Sequence, residues 1–202
     1  MAETKEKEYL DYLNNKYKFP RSLIHNSIKK QIDKCLKIVP RGGKFLDAGC
    51  GNGSDVYRYA SLFEIFGIDY QEEYINYCKN KYSKGNFSVQ NIYKLDFEDE
   101  FFDGIVMNQV IEHLAYPQRV IEELYRVLKK NGVLIIGTPN YESIAWIAIE
   151  SIWYKLLKKE FDIDTHKFKF TESKLIEITN IFEKIEISKI FLRSILIGSF
   201  KK

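Results

Sequence analysis

The sequence predicts an α/β fold built on a doubly wound, mostly parallel sheet, and two observations carry that prediction. Short apolar runs alternate with amphipathic stretches of helical spacing, giving the order strand, helix, strand, helix along the middle of the chain. The first of those runs, FLDAGCGNGS from Phe45 to Ser54, breaks into a loop that holds Gly49, Gly51, Gly53 and the carboxylate of Asp47. This is the form of a buried strand ending in a ligand-binding loop, because alternating glycines remove the Cβ atoms that would keep a ligand off the backbone. The same glycines also suit a turn that binds nothing. A chain of 202 residues holds one such domain with a full core and is short for two.

Each element follows from local pattern. Residues 3–18 place Tyr9, Leu10, Tyr12, Leu13 and Tyr17 at helical spacing, and residues 22–38 do the same with Leu23, Ile28, Ile32, Leu36 and Ile38, so two amphipathic helices precede the sheet. Pro20 separates them, and Pro40-Arg41-Gly42-Gly43 ends the second. A strand over Lys44 to Leu46 leads through the glycine loop into a helix from Ser54 to Ala60, whose free N–H groups aim back at the loop. The next strand, Phe63 to Ile68, ends in Asp69, close to where a dinucleotide fold places the carboxylate that holds a ribose. A helix from Gln71 to Tyr82 follows, with Tyr74, Ile75, Cys78 and Tyr82 on one face, then a short third strand over Phe87 to Ile92. The fourth strand, Asp103 to Asn108, runs into Gln109, Glu112 and His113, the richest polar strand end in the chain. A helix over Val120 to Leu128, a turn at Asn131-Gly132 and an apolar fifth strand over Val133 to Gly137 complete the alternation.

The last third is of a different kind. Tyr141 to Lys159 is an apolar run with two tryptophans, read as a helix of about five turns that is too short and too charged to span a bilayer. Thr171 caps a helix from Glu172 to Thr179, and the runs Phe182 to Ile190 and Phe191 to Phe200 alternate as a final pair of strands. No Asn-Gly or Asp-Gly turn marks that pair, so its register stays open.

Composition excludes several classes. Apolar content of 45% and charged content of 29% are those of a folded globular chain, not a disordered one. Cys35, Cys50 and Cys78 are odd in number and contain no CxxC pair, which points to neither a disulfide framework nor a zinc site and fits a reducing cytoplasm. The first ten residues lack the apolar core of a signal peptide, so a cytoplasmic protein is expected. Charge is uneven, with a net +4 over residues 1–40, −5 over 41–150 and +4 over 151–202. Basic flanks of this kind face solvent or an anionic partner, but no RNP motif or arginine-rich arm marks them as a nucleic-acid module.

Four blocks in order, DAGCGNG at 47–53, GIDY at 67–70, FDGIVMNQVIEHL at 102–114 and LKKNGVLIIGTPN at 128–140, resemble the class I S-adenosylmethionine-dependent methyltransferases, and HKFKFTESKL at 166–175 extends the likeness. A nicotinamide dinucleotide fits less well, since Gly53 follows Gly51 by two positions and Asp47 would repel a pyrophosphate. The resemblance implies a Rossmann-like seven-stranded sheet completed by a C-terminal antiparallel hairpin, with S-adenosylmethionine as cofactor. Asp47, Gly49, Gly51 and Gly53 would form its loop, Asp69 would accept the ribose hydroxyls, and Tyr70 would lie against the adenine. Asn91 stands where many members carry an aspartate, and Asn108 and Gln109 would meet the methionine part or the acceptor. His113 is either the base that takes a proton from a hydroxyl or ammonium acceptor or a structural residue, and His166 would line the acceptor pocket. His25 reads as an ordinary helix-surface residue.

The blocks are most similar to the branch that methylates small molecules, with an RNA methyltransferase as the alternative acceptor class and a non-catalytic cofactor-binding module as the alternative of another kind. By the same resemblance the whole chain is one domain in which residues 1–40 form a helical cap and 141–170 a substrate-binding insert. For residues 141–159 three readings stay open: a lid over the acceptor, a dimer surface, and an interfacial helix on a membrane surface. Its aromatics fit a bulky, partly apolar or planar acceptor.

Overall fold

Strands covered by helices on both faces have no polar side to present, and the middle strands of this chain are accordingly apolar throughout. The computed structural model describes residues 21–157 and 166–202, with side chains for 23–151 and 166–202. In chain order it runs α1 (Arg21–Cys35), a 3-10 turn (Leu36–Ile38), β1 (Lys44–Ala48), α2 (Ser54–Tyr57), β2 (Glu64–Asp69), α3 (Glu72–Lys81), β3 (Asn86–Val89) and β4 (Phe102–Asn108). A second 3-10 turn (Ile111–His113), α4 (Pro117–Val127), β5 (Leu128–Pro139), α5 (Ile144–Leu157), α6 (Glu172–Ile178), β6 (Glu183–Ile190) and β7 (Ile195–Lys201) follow. The seven strands form one sheet in the order β3-β2-β1-β4-β5-β7-β6. The first five are parallel, while β7 pairs antiparallel with both β5 and β6. The expected doubly wound sheet with a C-terminal hairpin is the one observed.

Alternation along each strand divides the apolar residues between two cores. Leu46, Ile105, Leu134 and Ile136 face one side, where Val120, Ile121, Leu124 and Val127 of α4 and Leu175 of α6 cover them. Phe45, Val106, Val133 and Ile135 face the other, against Ile24, Ile28 and Ile32 of α1, Val56 of α2, Ile75 and Cys78 of α3, and Trp146 of α5. In α1 the inward stripe is Ile24, Ile28, Ile32 and Cys35, so Leu23 and Ile38, expected on the apolar face, are exposed. The helix expected over residues 3–18 lies outside the described residues, as does the end of the one expected to reach Lys159. No described helix is long and apolar enough to cross a membrane.

Three local expectations change. The helix after the glycine loop ends at Tyr57, not Ala60, because Tyr59 and Ala60 bond three residues back, to Val56 and Tyr57, and tighten the chain into turns. Asn131-Gly132 is not a break before a strand, since β5 runs through it with a register shift against β4 between Phe102 and Gly104. Asn131 takes a left-handed φ of 65° there, and the pair of bonds Asn131 N to Lys202 O and Lys202 N to Gly132 O holds the bulge to the end of the chain. The β6–β7 connection is a left-handed turn without glycine, with Phe191, Leu192 and Arg193 at φ of 44°, 55° and 64°.

That last turn is costly for side chains bearing a Cβ, and the segment before α5 compensates for it. Buried Asn140 donates from Nδ2 to Arg193 O (2.8 Å) and from its backbone N to Ser194 O (2.8 Å), and Ser143 Oγ donates to Leu192 O (3.3 Å). Two substitutions of opposite sign test this account by urea denaturation. Asn140→Ala leaves the Arg193 carbonyl without its side-chain donor and is expected to cost about 1–3 kcal/mol. Leu192→Gly relieves a left-handed residue whose side chain is exposed, and is expected to be neutral or to stabilise by up to about 1 kcal/mol.

Candidate active site

The strand order reverses between β2 and β4 on either side of β1, and a crevice opens outside the carboxyl ends of β1 and β4. The glycine loop occupies that point. Gly49 N and Cys50 N both donate to Ile68 O at 2.8 Å, folding the loop across the end of β2, and Gly49, Gly51 and Gly53 all take positive φ. They do different work. A Cβ on Gly49 would strike Val110 and one on Gly53 would strike Cys78 and Tyr82, whereas a Cβ on Gly51 would meet nothing within 4 Å. Two glycines therefore permit packing, and the third faces open space. Asp69 joins this loop to β2, its Oδ2 accepting from Gly51 N (2.9 Å) and its Oδ1 from Gln71 N (3.0 Å).

Asp47 is 5% exposed, and among the described residues no donor is bonded to its carboxylate. Burial, followed by the charges of Asp55 and Asp69, pushes its pKa well above the usual carboxylate value. Asp55 behaves oppositely: burial alone would raise it, but the hydrogen bond and charge of His25, with Lys29 beside it, outweigh burial and hold it low. His25 Nε2 and Lys29 Nζ lie 3.0 and 3.3 Å from Asp55 Oδ1, so His25, on the surface of α1, reaches a carboxylate that lines the cavity. Lys29 and Ile32 of α1, with Asp47, Asn52, Asp55 and Asn108, are among the residues that line a cavity at this edge. Across it, Asn108 Oδ1 and Gln109 Nε2 are buried with no hydrogen-bond partner, and Gln109 sits at φ 57°, held by its N–H to Gly137 O. Buried polar atoms left unpaired in this way mark a surface shaped for polar groups of a ligand.

The remaining residues picked out by the sequence fall around this edge. Gln90 N donates to Asp69 O, which brings Asn91 beside β2; Asn91 is exposed and spends one amide-oxygen lone pair on Tyr93 N (3.0 Å). Tyr70 is exposed next to Asp69. His113 and His166, far apart in sequence, come together with ring centroids 4.8 Å apart, because Phe168 N bonds Glu112 O and Tyr141 N bonds Phe170 O. Glu112 lies between the fourth strand and this pair, 1% exposed, with Oε2 accepting from Thr138 Oγ1 (3.2 Å) and Oε1 unpaired. Burial pushes its carboxyl up to about 8. Tyr141 Oη lies 2.7 Å from His166 Nδ1 and donates to Glu150 Oε1 at 2.8 Å, and the Trp146 ring stacks on His166. Burial, then the charge of His113, lowers the His166 pKa.

Sequence reasoning missed Lys29, Asp55, Tyr141 and the role of Glu112. A signal existed only for part of this set: His25 and Lys29 are four apart and share a helix face, whereas nothing local says that Asp55 meets that face.

The chain is similar to known proteins in sequence and in fold. A family model described as a methyltransferase domain matches residues 40–186. A protein of Mycolicibacterium smegmatis described as a "probable S-adenosylmethionine-dependent methyltransferase" is 33% identical over 100 residues, covering 49% of this chain and 39% of that protein. A tRNA (carboxymethyluridine(34)-5-O)-methyltransferase of Arabidopsis thaliana is 36% identical over 104 residues, or 50% of this chain and 25% of that one. The chain spans less than half the length of these two curated relatives. The crystal structure of a SAM-dependent methyltransferase from Thermotoga maritima superposes with a TM-score of 0.70 over all of both chains at 19% identity, a likeness of fold. With the family model covering the sheet from β1 into β6 and the glycine loop at the strand-order reversal, the chain belongs to the class I S-adenosylmethionine-dependent methyltransferases.

Proposed function

We propose that this protein transfers a methyl group from S-adenosylmethionine to an oxygen, nitrogen or carbon of a small-molecule acceptor. The observation that carries the reading is the buried carboxylate of Asp47, bonded to no donor among the described residues, beside two further carboxylates, Asp55 and Asp69, at the strand-order reversal. Such a site is short of positive charge, and a ligand with an ammonium and a sulfonium supplies it. The residues present fit that ligand. Asp47 would face the ammonium, Lys29 the carboxylate of the methionine part, and Asp69, which keeps a free lone pair on each oxygen, the ribose hydroxyls. Gly51 leaves room for close approach, Asn108 and Gln109 offer their unpaired atoms, and Asn91 and Tyr70 stand where the adenine would lie. S-adenosylmethionine, when bound, supplies an electrophilic methyl group, and the protein's task is then mainly to position the acceptor.

The acceptor side is the group formed by Glu112, His113, Tyr141, Trp146 and His166. On this reading residues 1–40 are a cap, of which α1 already covers the cavity by Asp47, and 141–170 are the insert that holds the acceptor. Ile144 and Ile147 on α5 are exposed, the property that a lid, a dimer surface and a lipid contact would share. Aromatic rings around His166 favour a planar or partly apolar acceptor. An RNA acceptor is the second reading, favoured by the similarity to the tRNA methyltransferase and by the net basic flanks.

Calorimetry with S-adenosylhomocysteine and, separately, NAD tests the cofactor assignment. Binding of the first alone is expected, with a gain of about 2.7 kcal/mol at a hundredfold excess over Kd, read as a rise in Tm of about 5–10 °C. Binding of NAD instead, or of neither, overturns it.

Asp47→Asn separates binding from folding. The carboxyl of Asp47 has a higher pKa folded than unfolded, so the folded state holds its proton more tightly and stability falls as pH rises above about 3.9. Removing the charge should raise the Tm of the ligand-free protein at pH 7, by about 2–4 °C per kcal/mol relieved, while weakening S-adenosylhomocysteine at least about tenfold. A lower Tm with unchanged affinity would show that the carboxylate is structural.

A further inference from the structure

We propose that Glu112, His113 and His166 form a binding site for a divalent first-row transition cation such as Zn2+, Co2+, Fe2+ or Mn2+, on the acceptor side of the cleft. One atom from each residue lies within 4.8 Å of those of the other two. Bonds of about 2.0–2.2 Å from an ion place its ligand atoms roughly 3–3.5 Å apart, so a shift of about an ångström in the histidine rings closes the set. A carboxylate with two imidazoles is a donor set that such cations take, with coordination positions left over.

Two independent features show that the set is built rather than accidental. Glu112 is 1% exposed, its Oε2 is held by Thr138 Oγ1, and its Oε1 has no hydrogen-bond partner. A buried carboxylate oxygen without a donor is costly, and a cation at the histidine pair would satisfy it. The second feature is the tautomer of His166. Tyr141 has one hydroxyl proton and donates it to Glu150 Oε1, so its oxygen can only accept from His166 Nδ1. That hydrogen bond keeps the proton on Nδ1 and presents Nε2 with a free lone pair. A carboxylate acting on a ligand histidine through its other nitrogen is the usual outer support of a metal ligand, here relayed through a tyrosine.

The inference does not depend on methyl transfer, since ion uptake is read without the cofactor. On this account the histidines act as ligands rather than as proton acceptors, and the remaining coordination positions are open to an oxygen of the acceptor, whose pKa the ion would lower.

The test uses the full chain, stripped with chelator and dialysed, then titrated with Co2+ by visible absorption and with Zn2+ by calorimetry. About one equivalent per chain is expected, with the Co2+ bands of a nitrogen and oxygen environment and no thiolate charge-transfer band, which separates this site from the three cysteines. Glu112→Gln and His166→Gln should each weaken uptake about 100-fold or more, and Tyr141→Phe about tenfold through the lost orientation of His166. Circular dichroism verifies that each variant is folded; if Glu112→Gln is not, the half-buried His166→Gln decides. No uptake by the wild-type chain, thiolate bands, or uptake undiminished in His166→Gln would overturn the proposal.

Discussion

The pairing of β1 with β2 on one side and β4 on the other is the constraint from which the rest of the structure follows. Because the order of strands reverses there, the two connections leave the sheet in opposite directions and cannot cover the carboxyl ends of β1 and β4. Whatever side chains end those strands must then face a crevice. In this chain they are Asp47 and Asn108, followed by Gln109, with Asp69 one strand further out, and Asp47, Asn108 and Asp69 are each polar where the residue before is apolar. The register Asp47 to Gly67 and Asp47 to Val106 sets Asp69 and Asn108 each two residues beyond Asp47 on the same face of the sheet, so a local change of residue type becomes a stepped polar edge.

That edge is electrostatically one-sided, and the fold tolerates it by different means at each carboxylate. Asp69 accepts from two backbone N–H groups, Asp55 lies against His25 and Lys29 of α1, and Asp47 has neither kind of partner among the described residues. The first two arrangements make the loop rigid before any ligand arrives. The third leaves an unmet demand for positive charge at one place, and a site of that kind selects by charge as well as by shape. On the far side of β4 Glu112 is buried deeper still, with Oε2 held by Thr138 and Oε1 without a hydrogen-bond partner.

Stability and site share their supports. The segment from Asn140 to Ser143 holds the left-handed turn between β6 and β7 and also starts the path to α5, which carries Trp146 and Glu150 to His166. Tyr141 lies within that segment, bonded through its backbone to Phe170 and through its hydroxyl to Glu150, with His166 Nδ1 at 2.7 Å. The left-handed hairpin turn and the cluster around His166 are thus held by four consecutive residues.

Much of this was legible in the chain itself. Periodicity placed the five parallel strands and the helices between them within a few residues, and the DAGCGNG and GIDY blocks marked the loop and strand end at the switch point, because strand ends, glycine φ and apolar repeats are local properties. The Asn131-Gly132 pair misled for a local reason as well: its turn preference is real, but bonds to Lys202 carry β5 through it. The hairpin itself was legible, but its turn and register were not, since residues with no left-handed preference are held there by Asn140 and Ser143 from elsewhere in the chain. What the sequence by itself determined is therefore the sheet, its winding and the loop at its switch point. Only the tertiary structure decided that Lys29 and His25 meet Asp55 and that His113, His166 and Glu112 share one cluster, because those contacts join separate elements and are set by packing across the sheet, not by spacing along the chain.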